Sequence, residues 1–216
     1  TGLGYHMDVV PNKESARTFI SKGMLKKAKK IIDKNIKIFY ENGGNEKEIL
    51  GIEPSAILGF KDDYPYLCSS ELKEKAISIA KNAMMIEEFI STEIENGNIS
   101  NQDFNEYEGE ILVHGHCQQK AIISTQPTIN ALKIVPKAKI IEIPSGCCGM
   151  AGSFGYEKEH YDISMKIVEL VLFPTIREHS NAIILAPGTS CRQQIKEGTN
   201  RIAMHPVQFL YMQLKK

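Results

Sequence analysis

The chain has 216 residues, enough for one large domain or two small ones with a core of useful size. Lys plus Arg (26) equals Asp plus Glu (26), so charge draws the chain neither to nucleic acid nor to an anionic membrane. No apolar run is long enough to span a bilayer, and no basic leader precedes an apolar stretch, although a start at Thr1 reads as a piece of a longer chain.

Met7-Asp8-Val9-Val10 reads as the end of a strand running into Pro11-Asn12. A helix is expected from about Ser21 to Tyr40, because Leu25, Ala28, Ile32, Ile36 and Phe39 recur at helical spacing. Asn42-Gly43-Gly44 ends it, Ile49–Ile52 is a short strand, and Glu53-Pro54-Ser55-Ala56 turns into another helical stretch. Residues 71–95 read as one helix with Leu72, Ala76, Ile79, Ala83, Ile86 and Ile90 on a face. The polar stretch from Gly97 to Glu108 has no clear period and is the candidate linker. Beyond it come a strand over Glu110–Val113, a helix over Gln119–Ile134 broken near Pro127, and a strand over Lys139–Ile143. A helix over Tyr161–His179 kinked at Pro174, a strand over Ala182–Leu185, a helix opening at Cys191, a strand over Ile202–Met204 and a closing helix over Val207–Leu214 complete the chain. Strands alternating with helices predict an α/β fold with parallel sheets, whose ligands gather at the carboxyl ends of the strands.

The five cysteines are distributed tellingly. Cys117 follows the strand-like Ile111-Leu112-Val113-His114-Gly115-His116. Cys147 and Cys148 follow Ile140-Ile141-Glu142-Ile143-Pro144, flanked by Gly146 and Gly149. Cys191 follows Ile183-Ile184-Leu185-Ala186-Pro187-Gly188-Thr189-Ser190. Four thiols just past the ends of three strands form a candidate metal or iron–sulfur site, and glycine permits the tight backbone that turns two adjacent sulfurs to one centre. Buried apolar cysteines and a disulfide from Cys117 to Cys147 or Cys148 are the competing readings. Cys191, in the first turn of its helix, is favoured as a thiolate by the helix N-terminus. His116, Gly149 and Ser190 stand beside the sulfurs as potential hydrogen-bonding neighbours. His114 projects to the opposite side if the strand continues, and Cys68 is an ordinary cysteine; neither is assigned a role. Tyr156, His160 and Tyr161 are expected to cover the site.

The two halves also look like copies. Pro54-Ser55-Ala56 after a strand mirrors Thr189-Ser190-Cys191, Ala83-Met84 before Phe89 mirrors Ala203-Met204 before Phe209, and Glu14-Ser15-Ala16 stands in the place of Cys147-Cys148-Gly149. The expected architecture is therefore two modules related by a pseudo-twofold, over residues 1–105 and 106–216, each a small parallel sheet flanked by helices.

Three stretches carry a family resemblance: His114-Gly115-His116-Cys117-Gln118-Gln119-Lys120-Ala121, Gly146-Cys147-Cys148-Gly149-Met150-Ala151-Gly152-Ser153-Phe154-Gly155-Tyr156, and Gly188-Thr189-Ser190-Cys191-Arg192-Gln193-Gln194-Ile195. Together they resemble the cysteine-rich CCG-domain family, which includes the B subunit of heterodisulfide reductase and the iron–sulfur subunits of glycolate and lactate dehydrogenases. The likeness is greatest to the carboxyl-terminal iron–sulfur region of FAD-linked oxidases, whose tail also carries a His-Pro pair, here His205-Pro206. Ile20-Ser21-Lys22-Gly23-Met24-Leu25 and Glu53-Pro54-Ser55 resemble the family's first module, but Glu14-Ser15 and Ala56 occupy its thiol positions. In the second module Gly188 replaces the first cysteine of a Cys-x-x-Cys pair.

The resemblance implies an electron-transfer module of an FAD-linked 2-hydroxyacid oxidoreductase, with no stand-alone activity and no catalytic residue of its own. Cys117, Cys147, Cys148 and Cys191 would hold a [4Fe–4S] cluster, or zinc as the alternative, and the first module would hold none. FAD would lie in a separate dehydrogenase domain or subunit, beside a ferredoxin-type iron–sulfur domain. The expected location is cytoplasmic, reaching the membrane only through partners. A zinc-binding or metal-free interaction module and a thiol redox enzyme using Cys147-Cys148 are the competing functions.

Overall fold

Two apolar patterns, one helical and one strand-like, build the two parallel sheets of this α/β chain. The structure, a computed structural model, describes residues 2–11 and 14–215. These fall into two compact units, Leu3–Ile86 and Glu87–Lys216.

In the first unit, α1 (Arg17–Ser21) leads to α2 (Leu25–Glu41), so the helix expected from Ser21 is broken at residues 22–24. Ala28, Ile32, Ile36 and Phe39 of α2 are buried, as their spacing requires. β1 (Ile49–Gly51) is followed by α3 (Pro54–Lys61), with Pro54 in the first turn where its missing N–H costs nothing. α4 (Asp63–Leu67) and α5 (Lys73–Asn82) precede β2 (Ala83–Met85), which pairs in parallel with β1. The helix expected over 71–95 is therefore interrupted: Ala83 and Met85 are fully buried against β1, and the ladder overrides their local preference. Residues 7–10 form no strand, and Asn12 lies outside the described residues.

The second unit is built on a four-stranded parallel sheet in the order β4-β3-β5-β6. α6 (Ile86–Glu95) enters it, followed by β3 (Gly109–Val113), α7 (Cys117–Ile122), α8 (Gln126–Leu132) and β4 (Ala138–Glu142). α9 (Tyr161–Val168), α10 (Leu172–Glu178), β5 (Ile183–Leu185), α11 (Thr189–Thr199), β6 (Ala203–Met204) and α12 (Pro206–Gln213) complete it. The break expected at Pro174 lies instead before Leu172, so Pro174 occupies the first turn of α10.

The stretch from Gly97 to Glu108 packs with this second unit, although its composition reads as a linker. Ser100 and Asp103 form a capping box, Phe104 is buried and bridges antiparallel to Leu214, and Asn105 donates to the Gln213 carbonyl at 2.7 Å. Backbone pairing, invisible in composition, anchors it.

β3 is the centre of the cysteine-bearing end. Ile111, Leu112 and Val113 are fully buried, as a strand covered on both faces requires. Val113 is in register with Glu142 on one side and Leu185 on the other, so β3, β4 and β5 end at one level. The ladder runs one residue further: His114 N–H donates to Leu185 O at 2.9 Å and Ile143 N–H to Val113 O at 2.9 Å.

Candidate metal centre

Each of the three strands that end together delivers cysteine from the loop or helix that follows. Cys117 is the first residue of α7, and His116 caps that helix, its Nδ1 accepting from Gln118 N–H at 3.2 Å. Cys147 and Cys148 lie in the loop after β4, which Lys120 fastens by donating to the carbonyls of Ser145 (2.5 Å) and Gly146 (2.7 Å). Cys191 lies in the first turn of α11, where Arg192 ties down the preceding loop by donating to Ala186 O (2.8 Å) and Pro187 O (2.6 Å).

The Cys148 and Cys191 sulfurs are 3.2 Å apart, and Cys147 is coupled electrostatically to Cys148 on one side and to Cys117 on the other. Cys117 is exposed, Cys147 half-buried, and Cys148 and Cys191 are buried in the apolar core with Leu112, Ile143, Met150 and Phe173. All four cysteines are free thiols, so the disulfide expected as an alternative is not formed.

The backbone is shaped to stabilise charge on sulfur. Gly149 and Gly152 take positive φ (78° and 74°), as does Ala151 between them (39°). Gly149 N–H donates to Cys147 Sγ at 3.2 Å, and Ala151 N–H also supports that sulfur. Such a concavity of amides favours an anion. No other residue fits at Gly149: a Cβ would stand 2.5 Å from Ser164 O. Gly188 is similarly required, because a Cβ there would be 2.5 Å from the His116 ring and 3.1 Å from Cys191 Sγ.

Proton sharing divides the thiols into two kinds. The hydrogen bond from Cys117, with those from Cys148 and the amides, holds Cys147 far below the ordinary thiol range. The bond with Cys148 holds Cys191 well below it too, against its burial and with help from the neighbouring His114 and His116. Cys117, bonded to Cys147, and Cys148, bonded to Cys147 and Cys191, are pushed up and keep their protons. The shared hydrogen bonds thus favour thiolate character at Cys147 and Cys191, and metal binding would displace the protons the cysteines share.

The neighbours expected from sequence have distinct places. Gly149 donates to sulfur, His116 lies against Gly188 and Cys191 while capping α7, and Ser190 is half-buried in the first turn of α11. Tyr156 and Tyr161 are largely exposed, and His160 stacks on Phe154 with centroids 4.1 Å apart. Cys68 lies in the other unit, half-buried beside Pro65 O. His114, assigned no role from sequence, is fully buried at the centre. Its Nδ1 is 2.7 Å from Ser145 Oγ, and it forms with Cys148 and Cys191 a group whose ligand atoms all lie within 4.8 Å of one another. The sequence carried the signal in the form His-Gly-His-Cys: regular strand geometry ends at Val113 and the ladder makes its last bond at His114, so strict alternation no longer decides where its ring goes.

A soft donor set at the carboxyl edge of a parallel sheet, with thiolates already favoured, fits a metal or iron–sulfur group. Residues 111–196 match the family model of the CCG cysteine-rich domain. The whole chain is similar to the D-2-hydroxyglutarate dehydrogenase of Escherichia coli (strain K12), 24% identical over 209 residues that cover 96% of this chain and 20% of the relative. It is also similar to the enzyme of that name from Haemophilus influenzae, 23% identical over 229 residues, 99% of this chain and 21% of that one. A shorter stretch of 101 residues, 47% of this chain and 25% of the relative, is 29% identical to one subunit of the anaerobic glycerol-3-phosphate dehydrogenase of E. coli (strain K12). The chain therefore spans about a fifth of the length of the D-2-hydroxyglutarate dehydrogenases it matches. No solved structure matches it. Among the described residues, no helix is long and apolar enough to cross a membrane.

Proposed function

We propose that the second unit is the iron–sulfur electron-transfer module of a flavin-linked 2-hydroxyacid oxidoreductase, holding a [4Fe–4S] cluster on Cys117, Cys147, Cys148 and Cys191. The observation that carries this reading is the 3.2 Å approach of the buried Cys148 and Cys191 sulfurs at the carboxyl ends of strands that end at one level, with Cys147 and Cys117 delivered to the same end. When bound, such a cluster supplies reversible one-electron storage. The chain's own residues set the conditions: Cys148 and Cys191 place the sulfurs in a low-dielectric core, while the Gly149 and Ala151 amides offset negative charge on Cys147. Lys120 and Arg192 fix the loops so that the sulfurs keep their spacing. The exposed Cys117 gives the centre an edge open to a partner. That partner is the flavin-containing dehydrogenase part of the full-length protein or complex, with a ferredoxin-type domain beside it. The names of the relatives, which concern hydroxy acids and a polyol phosphate, point to substrates oxidised at a carbinol carbon elsewhere in that assembly. The site of action is cytoplasmic, with membrane attachment through partners.

The test is anaerobic purification and reconstitution with iron and sulfide, followed by iron, sulfide and zinc analysis and electron paramagnetic resonance of the reduced protein. Iron and acid-labile sulfide in the ratio of a cubane cluster, with a spectrum that disappears in Cys148→Ser, is the expected result. Stoichiometric zinc with neither iron nor sulfide would refute electron transfer and favour a structural zinc module.

A further inference from the structure

The buried His114 imidazole is left unexplained by a site made of four thiolates. Its position is fixed twice. The backbone N–H pairs with Leu185 O, continuing the sheet beyond β3, and Nδ1 meets Ser145 Oγ at 2.7 Å. The second ring nitrogen, Nε2, is buried and makes no hydrogen bond of ordinary geometry among the described residues; what it faces is the Cys191 sulfur. Leaving a buried polar atom poorly paired is costly, so such an atom calls for a reason. The ring does not lie in a merely apolar pocket: its ligand atom and the Cys148 and Cys191 sulfurs are mutually within 4.8 Å.

From this geometry, and resting on the reading that the sulfurs hold a metal, we infer that His114 is itself a ligand through Nε2, standing in for one of the four thiolates and making the centre a mixed thiolate–imidazole site. Three features make it suited to that role. The Ser145 hydroxyl 2.7 Å from Nδ1 can accept an Nδ1–H, which leaves the free lone pair on Nε2, the arrangement found for metal-bound histidines. The ring cannot swing away, because it has no exposed surface and its backbone is part of the ladder. Imidazole is also compatible with the metals that thiolates hold, iron and zinc alike. His116 is placed differently, since its Nδ1 is committed to capping α7 and its ring packs on Gly188. A neutral nitrogen beside anionic sulfurs lowers the negative charge of the centre, which raises the reduction potential of an iron–sulfur group relative to an all-thiolate shell.

The experiment uses the full chain, stripped of metal and loaded with zinc alone, and reads the metal's surroundings by X-ray absorption. A nitrogen at about 2.0–2.1 Å with the outer-shell pattern of imidazole, beside sulfur at about 2.3 Å, is expected in the wild type and in His116→Ala, and is lost in His114→Ala. An all-sulfur shell in the wild type, or loss of imidazole in His116→Ala alone, overturns the assignment. Should His114→Ala not fold, the cadmium-loaded wild type with isotope-labelled histidine decides. A cadmium–nitrogen coupling must appear on the imidazole whose other nitrogen responds to Ser145→Ala, and its absence overturns the assignment. Because zinc and cadmium report ligation whether or not an iron–sulfur cluster forms, the outcome is separate from that of the reconstitution. An all-sulfur shell beside a normal cluster removes the histidine ligand only, whereas an imidazole signature without any cluster removes the electron-transfer reading only.

Discussion

Replacing Glu87 with Gln should make the protein more stable at neutral pH, because burial holds this carboxyl in its protonated form. Glu87 lies in the first turn of α6 with 1% of its side chain exposed, and neither oxygen has a hydrogen-bond partner among the described residues. The nearest candidate partner is His205 Nε2, 3.6 Å from Oε1, and His205 caps α12 through Nδ1, which accepts from Val207 N–H. Desolvation pushes the Glu87 carboxyl up from 4.5 to about 8; Glu88 adds to the rise, and the residue's own backbone and Arg192 oppose it. A raised carboxyl pKa means that the folded chain holds a proton the unfolded chain releases. Stability is therefore full below pH 4.5 and declines as pH rises towards 8.

One unit of pKa difference is worth about 1.4 kcal/mol, so by pH 7 the folded state has lost about 3 kcal/mol. Glutamine keeps the shape and cannot ionise. Glu87→Gln should match the wild type near pH 4.5 and exceed it progressively to about 3 kcal/mol at pH 7. Urea unfolding at several pH values, in the presence of chelator, measures the difference, and the thiol titrations common to both proteins cancel. Parallel pH profiles, or a carboxyl carbon resonance of Glu87 that titrates in the ordinary range, would refute the reasoning.

The other expectations are local. Cys148→Ser should abolish or sharply weaken metal retention, while Cys68→Ser, in the other unit, should leave metal content per chain unchanged. Gly149→Ala combines a left-handed backbone with a Cβ 2.5 Å from Ser164 O, so thermal unfolding of the variant should show a loss of about 2 kcal/mol or more. Gly188→Ala should be destabilising in the wild type and markedly less so with His116→Ala, whose absent ring makes room; additive effects in that double-mutant cycle would contradict the packing.

Much of the second unit was legible because its signals are local. Apolar runs marked every strand, and the cysteines stood just beyond three of them, where a parallel sheet gathers ligands. What escaped depended on partners remote in sequence. Ala83-Met84-Met85 continues a helical pattern, and only the ladder to β1 turns it into a strand. The Gly97–Glu108 stretch has a linker's composition, yet Phe104 and Asn105 are claimed by Leu214 and Gln213 at the other end of the chain. His114 was misjudged by extending strand alternation one residue past the end of β3. Glu87 left no trace at all, since a glutamate in a first helical turn is ordinary until tertiary packing buries it.

Both units contain a β–α–β piece, yet only the second brings thiols together. β1 and β2 pair with Leu50 opposite Met84, and β5 and β6 pair with Leu185 opposite Met204, each followed by a helix at Pro54 or Thr189. The pairing is alike in both, so the difference lies in what fills the loops. In the second unit the loops turn sulfurs inward, and buried Cys148 and Cys191 face one another. In the first, Glu14 and Ser15 contribute their carbonyls: Asn35 Nδ2 donates to Glu14 O at 2.9 Å and to Tyr64 OH at 3.0 Å, and Tyr64 OH donates to Ser15 O at 3.1 Å. Burial keeps that phenol protonated to about 12, so the network persists across physiological pH. A loop fastened by buried neutral hydrogen bonds needs no ion, whereas a loop whose core side chains are thiols sharing protons gains stability when a soft metal replaces those protons. Metal binding should therefore stabilise the second unit and leave the first unit's own packing untouched.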